Sequence, residues 1–124
     1  MKSVATFWGK VIEGKKRGRE MGFPTANTRI HKKIPEGIYA SQIKISNSLY
    51  NALTFIGSAK TFNEKKVLAE SYIFNFQNNI YNIRITVTLL KKLRHNKKFD
   101  SVEKLILQME KDKEMGEEFF NTYV

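Results

Sequence analysis

Two neighbouring segments with a strict two-residue repeat constrain this chain most. Over residues 67–76, Leu68, Glu70, Tyr72, Phe74 and Phe76 fall on one face, and Val67, Ala69, Ser71 and Ile73 on the other. Over 82–89, Ile83, Ile85, Val87 and Leu89 alternate with Asn82, Arg84, Thr86 and Thr88. A period of two is the signature of a half-buried antiparallel strand. Gln77-Asn-Asn79 between the two segments predicts a hairpin turn. The period then changes. Val102, Leu105, Ile106 and Met109 are spaced i, i+3, i+4, i+7, which predicts a helix. Asp100 and Glu103 read as its capping box and Gly116 as its end or bend. Phe119, Phe120 and Tyr123 form an aromatic tail suited to docking on the barrel or on a partner. Upstream, residues 4–12, 37–45 and 49–57 read as strands, Ser46-Asn-Ser48 as a turn and 13–22 as a loop. Pro24 and Pro35 bracket a stretch with no clear period. Several short strands followed by one helix predict a small antiparallel barrel.

A length of 124 residues predicts a single domain, 1–124. The absence of cysteine excludes disulfides, thiolate metal sites and cysteine nucleophiles, and two histidines make an all-histidine metal site hard to build. No apolar stretch reaches membrane-span length, so a cytoplasmic protein with no membrane partner is expected. Charge is uneven. Residues 1–33 hold nine basic side chains against Glu13 and Glu20, a net +7, and the whole chain carries +10. A basic first third predicts an anionic partner there.

Four stretches can carry chemistry. Gly14-Lys-Lys-Arg-Gly-Arg-Glu-Met-Gly22 combines glycines, whose backbone N–H groups can approach an anion, with four cations. It matches neither a Walker A loop nor a dinucleotide fingerprint, and a basic surface loop reads equally well. Pro24-Thr25-Ala26-Asn27 sets two side-chain oxygens two residues apart. That suits a hard cation whose remaining ligands are phosphate and water, and also suits a turn or a helix cap. Glu70 stands out among the five acids before residue 100, because it alone lies mid-strand among apolar neighbours. It is either a rim carboxylate or a general base for a bound hydroxyl. Arg94 follows Leu93 at a strand end, where it can pair with an anion, within an otherwise solvated basic loop, Lys91–Lys98.

In their order along the chain these stretches resemble the riboflavin kinase (flavokinase) family. The resemblance runs through Val11-Ile-Glu-Gly14, Arg17-Gly-Arg19, Gly22-Phe-Pro-Thr-Ala-Asn27 and Pro35-Glu-Gly37-Ile-Tyr39. It continues through Ile56-Gly57, Thr61-Phe62, Glu70, Tyr81, Leu93-Arg94 and Phe99-Asp100-Ser101. It implies a six-stranded antiparallel Greek-key barrel with a C-terminal helix. It also implies transfer of the ATP γ-phosphate to the 5′-hydroxyl of riboflavin, giving FMN and ADP. Under it, Glu70 takes the ribityl hydroxyl proton and Arg94 lies near the flavin and the transferring phosphate. Gly14, Lys15, Arg17, Gly18, Arg19, Gly22 and Pro24 belong to the loop over the nucleotide. Thr25 and Asn27 bind phosphate together with Mg²⁺ or another divalent cation.

The chain departs from that pattern at Lys60 (usually proline), Asn75 (commonly Asp), Asn82 (usually glycine) and Asn96 (often an acid). In bacteria such a domain commonly accompanies an FAD synthetase domain, which implies a covalently linked partner; nothing in this sequence resembles one. Two other readings remain: a non-catalytic basic barrel that binds nucleic acid, and a regulatory module that holds flavin or nucleotide. The strand aromatics that share Glu70's face argue against nucleic acid.

Overall fold

The computed structural model describes residues 3–12, 22, 24–58, 60–62, 67–76, 78 and 80–123. Six strands form a closed barrel: β1 (Ala5–Ile12), β2 (Ala26–Thr28), β3 (Gly37–Ile45), β4 (Ser48–Gly57), β5 (Leu68–Ile73) and β6 (Arg84–Arg94). A 3₁₀ turn, Lys60–Phe62, precedes β5, and helix α1 (Val102–Thr122) follows β6. Around the barrel the order is β1-β2-β5-β4-β3-β6, and every described pairing is antiparallel.

Alternation decides what faces inward. Phe7, Val11, Tyr39, Ile43, Ala52, Ile56, Ala69, Ile73, Ile85, Val87 and Leu89 fill the interior. Burial pushes the Tyr39 phenol above its ordinary pKa, and its hydroxyl donates to the Pro35 carbonyl. The core is not wholly apolar. The hydroxyls of Ser41, Thr54 and Ser71 form a buried chain with O···O distances of 2.7 and 2.9 Å.

Several sequence-based expectations change here. β5 and β6 are not a hairpin: both edges of β5 are taken, by β2 and β4, and β6 lies between β1 and β3. Phe74 and Phe76 diverge, because the chain turns at Asn75 (φ 58°). Phe74 then meets Phe120 of α1, and Phe76 meets Tyr50 at the end of the core. Lys91–Arg94 belong to β6 rather than to a loop. The N-cap of α1 is Ser101, whose hydroxyl accepts from the Lys104 N–H, so the cap lies one residue later than the sequence indicated. α1 also runs straight through Gly116. That residue is buried against Leu53 and Phe74, so the glycine serves close packing rather than termination.

Asn82 sits at φ 66°, where the family's usual glycine would be at ease and where Asn is the best tolerated alternative. Its N–H donates to the Val11 carbonyl at 2.9 Å, and the Val11 N–H donates to the Ile83 carbonyl at 2.9 Å, which locks the end of β1 to the entry of β6. Among the described residues no helix is long and apolar enough to cross a membrane.

Candidate functional site

The first functional segment, Pro24-Thr-Ala-Asn27, is neither a turn nor a cap: Ala26–Thr28 is strand β2. Period two then divides it. Ala26 and Thr28 face the interior beside Ser71 and Ala69, while Asn27 faces outward beside Glu70. Thr25 shares Asn27's side of the strand direction, one residue before the ladder begins.

The register then lines up the outward side chains in one row. Ile12 pairs with Asn27, Asn27 with Glu70, Glu70 with Phe55, Phe55 with Ile38, and Ile38 with Arg94. Directly opposite residues of an antiparallel sheet share a face with Cα atoms about 4.5–5.5 Å apart. The row therefore brings Asn27 and Glu70 side by side. It sets Arg94 three strands from Glu70, a span of roughly 14 Å at about 4.8 Å per strand. Phe55 and Ile38 form an apolar floor between the two. Asn27, Glu70 and Arg94 lie on the outward side of their strands, in a row that passes close to the ends of β1, β3 and β6.

Asn27 is 5% exposed, and among the described residues its Oδ1 has no hydrogen-bond partner. An unpartnered buried amide oxygen costs about 1–3 kcal/mol unless something polar meets it. A hard cation with phosphate and water as its other ligands fits that oxygen. No group of three or more His, Cys, Asp or Glu side chains able to hold a metal occurs among the described residues. A cation here thus depends on the substrate for most of its ligands. Thr28 Oγ1 is also unpartnered and buried, but it faces the interior.

Arg94 is held by α1. Its Nε and Nη2 donate to Oδ1 and Oδ2 of Asp112, both at 2.7 Å, a planar two-point pair. Gln108 Nε2 donates to the same Oδ1 at 2.9 Å, and Arg94 Nη1 donates to the His95 carbonyl at 3.0 Å. A guanidinium has five N–H donors, so two remain to meet an anion. Arg94 and Lys97 both lie over the Phe99 ring, at 5.9 and 5.4 Å from its centroid.

Asp112, the partner of the candidate Arg94, is the residue that sequence reasoning missed. The signal was present: the 102, 105, 106, 109 repeat, carried forward, lands on 112 and 116, and these two are the buried residues of the helix. Asn96, a departure from the family pattern, donates from Nδ2 to Glu36 Oε1 at 2.9 Å. An ionised acid there could not donate. Gly22 adopts φ 90° with open space around it, as a glycine-bearing loop end requires. Gly14, Lys15, Arg17, Gly18 and Arg19 lie outside the described residues, as do Gln77 and Asn79. Lys60 opens the 3₁₀ turn.

Comparison with known proteins bears on the fold and the family. The Bifunctional riboflavin kinase/FMN adenylyltransferase of Haemophilus influenzae is 38% identical over 93% of this chain. The RNA-binding riboflavin kinase RibR of Bacillus subtilis is 36% identical over 84% of it. This chain spans 38% and 46% of those two proteins, well under two thirds of either. Among solved structures, Macrolide-efflux Protein from Streptococcus pneumoniae aligns with a TM-score of 0.78 and 32% identity, covering 96% of this chain and 39% of that one. Riboflavin kinase from Trypanosoma brucei aligns with a TM-score of 0.64 and 19% identity, over 94% of this chain and 80% of that one, and so shares the fold. The family model for riboflavin kinase matches residues 1–120, and the chain belongs to that family.

Proposed function

We propose that this chain transfers the γ-phosphoryl group of ATP to the 5′-hydroxyl of riboflavin, giving FMN and ADP. The observation that carries the reading is the cross-strand pair of Asn27 and Glu70, which sets an unpartnered buried amide oxygen beside a carboxylate. Phosphoryl transfer asks little covalent chemistry of a protein; it asks for positioning and for charge around the migrating group. Glu70 accepts the proton of the ribityl hydroxyl as its oxygen attacks phosphorus in line. The new O–P bond forms as the bond to the β-phosphate oxygen breaks, and ADP departs with those electrons. Asn27 and Thr25 hold Mg²⁺ against the phosphates; when bound, the ion neutralises their charge. Arg94, fixed by Asp112, turns its two spare N–H donors toward the transferred phosphate and the flavin. Phe55 and Ile38 lie between the two ends as an apolar floor. The basic 14–22 loop covers the nucleotide.

A covalently linked FMN-adenylylating domain is the partner that the bifunctional relative supports. The test incubates the protein with riboflavin, ATP and Mg²⁺ and separates the flavins chromatographically. Wild type is expected to form FMN, with turnover reduced by about 10²–10⁴ in Glu70→Gln at unchanged fold. Asn27→Ala is expected to raise the Mg–ATP requirement steeply. Riboflavin bound but never phosphorylated, or a Glu70→Gln enzyme at wild-type rate, would overturn the reading.

A further inference from the structure

On the outer surface of the barrel, the stretch of β1, β6, β3 and β4 remote from the Asn27–Glu70–Arg94 row carries side chains that the kinase reading does not use. Its register is continuous: Trp8 pairs with Thr86, Thr86 with Lys44, and Lys44 with Leu49. Trp8 is 59% exposed and Leu49 61%. A tryptophan of that exposure in the middle of a paired strand presents its ring to water, where a planar group can stack on it.

The charges around it have one sign. None of the four strands contains an Asp or a Glu. Lys10 and Arg84 stand directly opposite each other, an arrangement that is unfavourable between like charges. Lys44 is two strands from Trp8 on the same row. Lys32 reaches over β1 to donate from Nζ to the Thr6 carbonyl at 2.5 Å, placing a fourth cation one pleat from the indole. Lys10, Lys44 and Arg84 are exposed, and no ion pair holds any of these four cations among the described residues. Six of the chain's twelve acids lie on α1.

We propose that this face binds single-stranded nucleic acid, with a base stacked on Trp8 and the adjacent phosphates on Lys10, Arg84, Lys44 and Lys32. A flat aromatic ring on a sheet, with exposed cations on its own row and beside it, meets the physical requirement for sequence-tolerant single-strand binding. Stacking supplies the base contact and the cations follow the backbone. The aromatics that argued against nucleic acid are those of the Glu70 face. Trp8 belongs to a different strand, four residues along β1 from the row that holds Glu70.

Trp8 is the sole tryptophan, so its emission reports this face directly. Titration with a short oligothymidylate is expected to quench it saturably, with Kd of about 1–100 μM at physiological salt. The log–log salt slope should be about −0.7 for each phosphate neutralised. Followed by anisotropy of a labelled oligonucleotide, Trp8→Ala should weaken binding about tenfold or more. Trp8→Phe should recover most of that loss, and Lys44→Ala should reduce the slope by about 0.7. Phosphorylation of riboflavin should be unchanged in all three variants. Four results overturn the proposal. These are no quenching by the oligonucleotide, equal binding of heparin together with indifference to Trp8→Ala, quenching by anionic vesicles alone, and an emission change that tracks protein concentration because a second copy covers the face.

Discussion

Asp112 carries a charge where helices rarely place one: it is 4% exposed, on the side of α1 turned to the barrel. What makes that tolerable is the two-point pair with Arg94, with Gln108 satisfying one further lone pair. The side chains of the pair are 19% and 5% exposed, so the guanidinium keeps some contact with water. Removing one partner of a fully buried pair costs about 3–5 kcal/mol. Asp112→Ala should therefore cost somewhat less, about 2–3 kcal/mol, by urea denaturation. Arg94→Met combined with Asp112→Ala should cost less than the two single changes together, because no unpartnered charge is then left behind. Additive losses would show that the two side chains do not depend on each other.

Helix α1 owes its seat on the barrel to the lack of a side chain at Gly116. A Cβ there would stand 2.7 Å from Leu53 Cδ2 and 3.1 Å from Phe74 Cζ. Replacing an interior helical glycine by alanine ordinarily gains about 1 kcal/mol of helix propensity. Overpacking costs about 1–3 kcal/mol, and Leu53 is itself buried, so Gly116→Ala should lower the melting temperature rather than raise it. Elements with a long, clean period were legible from the sequence: β3 over 37–45, β4 to within one residue, and the helix itself. β2 was not, because three residues carry no readable period, although they hold Asn27. The candidate site is legible as residue types and order: Thr25, Asn27, Glu70 and Arg94 stand out in the sequence. What made Asn27 and Glu70 neighbours, and set Arg94 in their row, is register between strands distant in sequence, which no local pattern records. The false hairpin at 77–79 arose for the same reason: adjacency along the chain stood in for adjacency in the sheet.

The closed barrel places three hydroxyls where apolar groups would pack as well. Thr54 joins Ser41 to Ser71, and all three are at most 1% exposed. Thr54→Val keeps the shape and strands two hydroxyls, at an expected cost of about 2–4 kcal/mol. Adding Ser41→Ala and Ser71→Ala to it should restore much of that loss, because removing every member leaves nothing unsatisfied. A triple variant no more stable than Thr54→Val would show that the chain of hydroxyls is incidental.

The strand order carries a consequence for biosynthesis. β1 emerges first, yet its long partner is β6, the last strand to be made, and its other partner is the three-residue β2. A nascent chain that has reached β5 can pair β3 with β4 and β4 with β5, while most of β1 waits with both edges open. An open, apolar edge strand is a template for pairing with another chain. Arrival of residues 84–94 removes that hazard in one event, because β6 docks on β1 and β3 together. During synthesis the barrel thus closes late and nearly all at once, and any pause in translation before Arg84 lengthens the interval in which β1 is open to the wrong partner.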